Sequence, residues 1–208
     1  MASLAALENK PLDGPLGPHG HAGMPPKLSG HTPTSVPARL VSEVRAAAAT
    51  ACSLATPEAA RRAGYVLSSP FTQGVGTHWT NWRLVDKPFD PARPAMLLYA
   101  TRAGRETLVG FSYWLRTPDA AEPAGFSGTQ DHWHQHFGLC FDPAGMLERE
   151  NVRSAKLCAG SWLNGKDLWM LHAWIVPGHA NTSGLFAPLN GELCSRTAPD
   201  IMRCPRIG

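Results

Sequence analysis

Three histidines occupy alternate positions in the segment 131–141, which reads DHWHQHFGLCF. A period of two is the pattern of a β-strand, because successive side chains of a strand point to opposite faces of the sheet. The pattern therefore predicts one strand over 132–141, with His132, His134 and His136 on a single face. The other face would be mostly apolar, with Trp133, Gln135, Phe137, Leu139 and Phe141. Imidazoles backed by an apolar face predict the wall of a cavity, since a solvated face would carry Lys, Glu, Thr or Ser.

The spacing of these histidines limits how many can bind one metal ion. Same-face positions of a strand are about 6.5–7 Å apart, so the outer two imidazoles would be about 13 Å apart. Metal–imidazole bonds are about 2.0–2.1 Å long, so neighbours can converge on an ion, but all three would need a bulge or strong coiling. We expect His134 and His136 to be ligands, because Gly138 beside them leaves room for a ligand or substrate. His132 is then an auxiliary or alternative ligand.

Further ligands have to come from other segments. His172 lies within the apolar segment LWMLHAWIV, where a buried imidazole needs a partner. His78 follows the glycine-rich turn of GVGTHWTNW. Taken alone, a histidine such as His172 or His78 is more often a core residue than a metal ligand. The three alternating histidines nevertheless favour the metal hypothesis for both. The predicted metal ligands are therefore His78, His134, His136 and His172.

Few other reactive groups accompany these histidines. Asp131 adjoins the strand, and Tyr113 lies on a strand of its own. Either side chain could hydrogen-bond a metal-ligating imidazole at the nitrogen that does not bind the metal. The sequence assigns no catalytic residue. The five cysteines include no Cys-x-x-Cys pair, which argues against a zinc knuckle. We expect Cys140 to be an idle thiol rather than a soft ligand, with Cys194 and Cys204 able to pair in an oxidising environment.

Four neutral imidazoles suit Fe, Cu, Zn or Ni better than Mg or Ca, which prefer oxygen ligands. The arrangement resembles the three-histidine zinc sites of carbonic anhydrases and the three- or four-histidine iron sites of cupins. The resemblance stops at the layout, because the cupin spacing and its glutamate are missing and the flanking residues do not match a carbonic anhydrase. The sequence therefore assigns no family.

Tryptophans near the candidate strands predict a water-poor surrounding, which favours redox or oxygen chemistry over hydrolysis. The leading hypothesis is a small mononuclear metalloenzyme, an Fe(II)- or Cu-dependent oxidoreductase acting on a small, partly apolar substrate. Its cofactor would be one transition metal ion, with Fe or Cu favoured and Zn as the alternative. Two other hypotheses stay open: a non-catalytic copper- or zinc-binding carrier or storage protein, and a metal-free module that binds a small ligand.

The rest of the chain predicts an α+β fold. Segments 96–100 and 107–116 predict a hairpin, and 76–85 and 167–177 predict two more strands. Helical spacing over 36–54 after Ser35, and Thr56 before PEAARRAG, predict two helices. We expect a curved antiparallel β-sheet or a small β-barrel preceded by these two N-terminal helices. Residues 1–33, rich in Gly, Pro and His, would form a disordered or surface-draped tail, and residues 34–208 a single metal-binding domain.

Charge and hydropathy exclude two classes of partner. The net charge of +3 comes without any run of four Lys or Arg, so we expect no nucleic acid. No apolar stretch approaches the roughly 18 residues that predict a membrane span. The first residues lack the cationic region followed by a longer apolar region that is typical of a signal peptide. The expectation is a cytoplasmic protein whose partner is a small-molecule substrate or ligand, with export left open.

Overall fold

The computed structural model of the protein describes residues 37–102, 104–179 and 181–193. The predicted tail over 1–33, the cap at Ser35, and both Cys194 and Cys204 lie outside these residues. Helix α1 spans Ala38–Ala51, and helix α2 spans Pro57–Arg62. Single 3₁₀ turns span Cys52–Leu54, Ala155–Leu157 and Gly191–Leu193. None of the helices within the described ranges is long and apolar enough to cross a membrane.

Helix α2 begins and ends at the residues that the sequence predicts. The side chain of Thr56 accepts a hydrogen bond from the backbone N–H of Ala59 at 3.3 Å, and such a cap contributes about 1 kcal/mol. Gly64, with φ 88°, adopts the left-handed conformation that commonly ends a helix. Helix α1 buries Leu40 and Ala47 in the core that it shares with α2 and the sheet.

Eight strands form two antiparallel sheets. In chain order they are β1 (Val66–Leu67), β2 (Thr77–Thr80), β3 (Met96–Arg102), β4 (Arg105–Arg116), β5 (Leu139–Phe141), β6 (Leu147–Arg149), β7 (Ser161–Leu163) and β8 (Leu168–Ala173). The larger sheet has the order β1-β2-β3-β4-β8, and the smaller sheet has the order β6-β5-β7. The β3–β4 hairpin and the strands that carry His78 and His172 confirm the sequence predictions for those segments.

The fold is α+β, as predicted, and the described strands do not close into the small barrel that was the alternative. The larger sheet is covered on both faces. In β4, Phe111 and Tyr113 join a core with α1 and α2 that also holds Trp79 and Leu97. Each large apolar side chain buried in this way stabilises the fold by about 1.5–3 kcal/mol.

The opposite face of the larger sheet carries two separate apolar clusters. Trp114 and Met170 pack against Leu163 of the smaller sheet. Leu98 and Trp174 pack in a second cluster with Val75 and Leu193. Between the two clusters, the alternation of β4 and β8 places the polar residues Ser112 and His172 side by side. The candidate site lies at this polar break.

The predicted continuous strand over 132–141 is wrong. His134 and Met170 of β8 exchange two backbone hydrogen bonds of 2.9 and 2.7 Å, which form a single bridge at the edge of the larger sheet. Gly138 then adopts φ 57°, and the chain leaves this edge to enter β5 in the smaller sheet. The glycine therefore serves a turn of the backbone, which an L side chain would strain.

Cys140 forms a disulfide with Cys158, so the expectation of an idle thiol is wrong and its thiolate is not a ligand. The sequence separation of the pair is 18 residues, and closing a loop of this length stabilises a fold by about 3 kcal/mol in the chain-entropy model. The closed loop contains β6 and Glu150. Cys52 is an exposed free thiol.

Candidate metal centre

His78 and His172 approach each other across the larger sheet. His78 lies on β2 and His172 on β8, and the strands β3 and β4 separate them. Neighbouring strands are about 4.8 Å apart, so a flat sheet would hold the two backbones about 14 Å apart. The centroids of the two imidazoles are nevertheless 5.7 Å apart. The sheet must therefore curve around this face, with both rings leaning inward above β3 and β4.

The segment beside β8 brings two more imidazoles to the same place. The ring centroid of His134 is 5.1 Å from that of His172, and the ring centroid of His136 is 5.0 Å from that of His134. We refer to His78, His134, His136 and His172 as the histidine cluster. The structure thus brings together all four residues that the sequence analysis proposed as ligands.

The spacing within the histidine cluster can be compared with the spacing of rings that share an ion. For two imidazoles with metal–nitrogen bonds of about 2.0–2.1 Å at a tetrahedral angle, the ring centroids are about 5 Å apart. The separations of 5.0 Å (His134–His136), 5.1 Å (His134–His172) and 5.7 Å (His78–His172) are close to this value. These three contacts link the rings in a chain that runs from His78 through His172 and His134 to His136.

Ser69 fixes the orientation of His78. Nδ1 of His78 is 3.0 Å from Oγ of Ser69, and the backbone N–H of His78 donates to the same oxygen at 2.9 Å. The Ser69 hydroxyl donates its only proton to the carbonyl of Pro70 at 3.0 Å, so its oxygen accepts from Nδ1. Nδ1 of His78 then carries the ring proton, and Nε2 keeps the lone pair. This Nε2 is buried, and no described group hydrogen-bonds it.

Backbone carbonyls orient two other rings of the histidine cluster. Nδ1 of His172 lies 2.7 Å from the carbonyl oxygen of Pro188, and Nδ1 of His134 lies 3.2 Å from the carbonyl oxygen of His132. A carbonyl oxygen can only accept, so both Nδ1 atoms carry the proton. His132, predicted as an auxiliary ligand, thus contributes its carbonyl oxygen to the positioning of His134.

Glu150 lies beside His136, the fourth ring of the histidine cluster. Its Oε2 is 3.5 Å from Nδ1 of His136, a long contact between an imidazole and a carboxylate. In every ring of the histidine cluster, Nδ1 therefore faces an oxygen atom. Nε2 lies on the side of the ring that points away from that oxygen. This arrangement is typical of metal-ligating histidines, whose second nitrogen is held by a carboxylate or a carbonyl.

Two members of the histidine cluster are buried, and the other two, His78 and His136, are partly exposed. His134 is 8% exposed and His172 is 2% exposed. Burial lowers the pKa of His78 well below its usual range, and the nearby rings of His172 and His136 lower it further. A neutral imidazole is the form that binds a metal, so His78 needs to lose no proton near neutral pH.

Trp174 closes one side of the histidine cluster. Its ring centroid is 5.9 Å from that of His172, and its Nε1 donates to the carbonyl of Ala187 at 2.7 Å. A Cβ atom at Gly110 would lie 2.9 Å from the indole ring. Because Gly110 has no side chain, the indole packs directly onto β4 beside His172.

The structure does not bring Tyr113 to the histidine cluster. Tyr113 lies on the other face of β4, in the core against the helices, and its hydroxyl donates to the carbonyl of Pro91 at 2.7 Å. Its neighbour Ser112 is the β4 residue that faces the histidines, because the two faces alternate along the strand.

Asp131 lines a separate cleft of about 760 Å³, together with Arg39 and Trp133 among others. Burial raises the pKa of Asp131 to about 6, although hydrogen bonds from the backbone of Phe126 and the side chain of Trp133 act in the opposite direction. No member of the histidine cluster lines this cleft. Asp131 is thus part of a different surface rather than a support for a ligand.

Sequence reasoning missed Ser69, Glu150 and Pro188 as groups that orient the imidazoles. Ser69 and Pro188 lie in loops without a motif, and Glu150 reaches His136 only through the fold. Sequence spacing alone does not show which oxygen atoms accept hydrogen bonds from the imidazoles, because these contacts are made through the fold.

Within the described ranges, no group of three or more His, Cys, Asp or Glu side chains is placed so that it could hold a metal ion as it stands. A metal ion shared by the histidine cluster would therefore require its side chains to rearrange so that their nitrogen atoms converge.

No family model, no curated protein and no solved structure matches the chain. A function is therefore inferred from the fold and the site.

Proposed function

We propose that the histidine cluster binds one transition metal ion and that the protein is a mononuclear metalloenzyme. The observation that carries this proposal is the common orientation of the four imidazoles. All four Nδ1 atoms face an oxygen acceptor, and the ring centroids that neighbour one another are 5.0–5.7 Å apart. In this orientation the Nε2 atoms are the ones that would bind the ion.

Ion binding requires only local adjustment. The strands and the bridge at His134 fix the backbone positions, while the rings can turn about their own side-chain bonds. For the Nε2 atoms to converge on one ion, the rings would have to turn about these bonds, starting from neighbouring ring separations of 5.0–5.7 Å. The bound ion would also give the buried Nε2 of His78 a bonding partner.

The donor set decides which metals fit. Neutral imidazoles suit Fe(II), Cu and Zn, whereas Mg and Ca prefer oxygen. The surroundings are largely apolar, with Trp174 beside His172 and the two apolar clusters on either side. A water-poor histidine site favours redox chemistry, so the activity class that we propose is an Fe(II)- or Cu-dependent oxidoreductase of a small, partly apolar substrate.

A second function is favoured by the position of the cleft. The large cleft beside Asp131 is lined by none of the four histidines, and four imidazoles are enough to complete a tetrahedral shell. These observations support a non-catalytic copper- or zinc-binding protein, in which the ion has no position open to a substrate.

One experiment separates the two functions. The protein is loaded with Cu(II) or Fe(II), and azide or nitric oxide is added while the optical or electron paramagnetic resonance spectrum is recorded. A spectral change that saturates indicates an open coordination position and supports the enzyme. An unchanged spectrum of the loaded protein supports the carrier. Failure to load any transition metal contradicts both.

A further inference from the structure

The cleft beside Asp131 is large enough to hold a small molecule. Its volume of about 760 Å³ is within the range of roughly 300–1,000 Å³ that is usual for small-molecule sites. The loop between β4 and β5 forms most of its wall, and Arg39 of helix α1 completes it. None of the four histidines lines this cleft, so a molecule bound in it needs no metal ion.

Glu43 of helix α1 fixes the position of the loop. Its Oε2 accepts a hydrogen bond from the backbone N–H of Ser127 at 2.7 Å, and its Oε1 accepts one from the Ser127 hydroxyl at 3.0 Å. The same Oε1 is 3.0 Å from Nε of Arg39. The carboxylate of Glu43 is therefore bound by donors of the protein itself, and the wall of the cleft is in place before any ligand arrives.

The carboxylate of Asp131 has no cationic partner among the described residues. The groups that hydrogen-bond it are neutral, namely the backbone N–H of Phe126 and the indole of Trp133. No described Lys or Arg forms an ion pair with it. Burial is the main cause of its raised pKa, and the negative charges of Glu43 and Glu122 raise the pKa further. Because a partly buried carboxylate without a cation is unfavourable, its charge points to a cationic ligand.

Aromatic side chains hold this carboxylate in the cleft. A Cβ atom at Gly125 would clash with Oδ2 of Asp131 and would lie 2.9 Å from Nε1 of Trp133, so the glycine lets both groups lie directly on the loop backbone. Phe126 and Trp133 are each 3% exposed, and their ring centroids are 5.0 and 6.3 Å from that of Phe89. The inner wall of the cleft is therefore rigid and apolar beside a single negative group.

This arrangement suits an organic cation better than a metal ion. Among the described residues, the Asp and Glu side chains are not grouped so that three of them could hold a metal ion. One carboxylate is enough for an ammonium or guanidinium group, whose N–H donors form charge-assisted hydrogen bonds. We infer that this cleft binds a small organic cation, an amine or a guanidine, whose charged group pairs with the carboxylate of Asp131 and whose carbon skeleton lies along Pro123 and Ala124.

The test uses the metal-free full-length protein at about pH 8, where carboxylates are ionised. Benzylamine and methylguanidine are the cationic probes, and benzyl alcohol and benzoate are the neutral and anionic counterparts of benzylamine. Calorimetric titration measures each dissociation constant, and the indole N–H resonance of Trp133 reports whether the probe binds in the cleft. Both cations are expected to bind saturably and to shift this resonance, and benzyl alcohol and benzoate to bind at least about tenfold more weakly than benzylamine, the effect of one charge-assisted hydrogen bond.

Two substitutions test the contact and the location. Asp131→Asn keeps the shape of the side chain and should weaken cation binding about tenfold or more. Asp119→Asn, at an exposed position in the same loop, is its control and should bind as wild type does. Ala124→Trp should weaken binding by filling the cleft, whereas Ala121→Trp, which does not line the cleft, should leave the affinity unchanged.

Three results would overturn the inference. The first is that neither cation binds saturably to folded wild type. The second is that Asp131→Asn or Ala124→Trp binds the cations as tightly as wild type. The third is that calcium chloride displaces benzylamine at concentrations at which sodium chloride of equal ionic strength does not, which would make the cleft a metal-ion site. Each result concerns the cleft alone, so metal binding by the histidine cluster is tested separately.

Discussion

His78 and His172 lie on strands that are separated by two others, yet the centroids of their rings are 5.7 Å apart. This approach requires the sheet to curve around the face that carries both rings. An ion bound by both rings would therefore link β2 to β8 across the concave face. Metal binding should stabilise the larger sheet as a unit, since a ligand that binds only the folded state raises the free energy of unfolding.

Replacing Ser69 should weaken metal binding through His78. Ser69→Ala removes the oxygen that accepts from Nδ1 and leaves the imidazole free to rotate or to change tautomer. We expect the metal affinity to fall about 10- to 100-fold, as is usual when a partner of a metal-ligating histidine is removed. Competition against a chromophoric chelator measures the change. Ser68→Ala is the matched control, because that hydroxyl contacts Thr80 and the carbonyl of His78 but not the ring; equal losses in both variants would argue against a role in orienting the imidazole.

Glu150 should have a comparable effect on His136. Glu150→Ala removes the carboxylate 3.5 Å from Nδ1 of His136, and we expect a loss of about tenfold in metal affinity. The same chelator competition applies. Glu148→Ala removes an exposed carboxylate from β6 and should leave the affinity unchanged. Full affinity in Glu150→Ala would mean that the contact does not orient the ring.

The disulfide between Cys140 and Cys158 should contribute strongly to stability. Replacing both cysteines by Ser opens a loop with a sequence separation of 18 residues, and we expect the free energy of unfolding to fall by about 2–4 kcal/mol. Urea denaturation of the metal-free protein measures this loss in the free energy of unfolding. The exposed Cys52→Ser should change stability by less than about 0.5 kcal/mol. A double variant as stable as wild type would contradict a structural role for the bond.

Asp131 predicts a pH dependence of stability. Burial raises its pKa from 3.8 to about 6, so the folded protein holds this proton more tightly than the unfolded chain. The contribution is fully favourable below about pH 4 and is lost as the pH rises through about 6. Asp131→Asn should therefore raise the free energy of unfolding by about 1 kcal/mol above pH 7, after a discount for partial exposure, and have little effect near pH 4.

Melting temperatures of wild type and Asp131→Asn across this pH range test whether the substitution stabilises the protein above pH 7. Asp119→Asn, at an exposed position in the loop that follows β4, is the control and should follow the wild-type curve. If Asp131→Asn proves destabilising above pH 7, the carboxylate must be more favourable in the folded protein than its burial implies.

The elements that the sequence predicts well are those with local causes. Helix α2 follows from Thr56 as its cap and Gly64 at its end, and the β3–β4 hairpin follows from two β-rich segments around a turn. A mid-strand imidazole such as His172 needs a partner, and the structure places the rings of His78 and His134 beside it. Metal binding by the four histidines stays a prediction.

The elements that the sequence does not reveal depend on tertiary structure. Alternation over 132–141 continues through Gly138, so the pattern conceals the turn by which the chain changes sheets. The partner of Cys140 depends on how β5 meets the turn before Cys158. Ser112 could not be distinguished from its neighbour Tyr113, because which face of β4 meets the histidines is decided by the register with β8.

Metal content is the most direct test of the central claim. Untagged wild type, purified without added metal and then exposed to Fe(II) or Cu(II), is compared by elemental analysis with the double variant His134→Ala/His136→Ala and with His179→Ala as a histidine control outside the histidine cluster. The account predicts about one transition metal ion per chain in wild type and in the control, and a large loss in the double variant. A folded wild type that carries no stoichiometric transition metal, and takes none up, would contradict it.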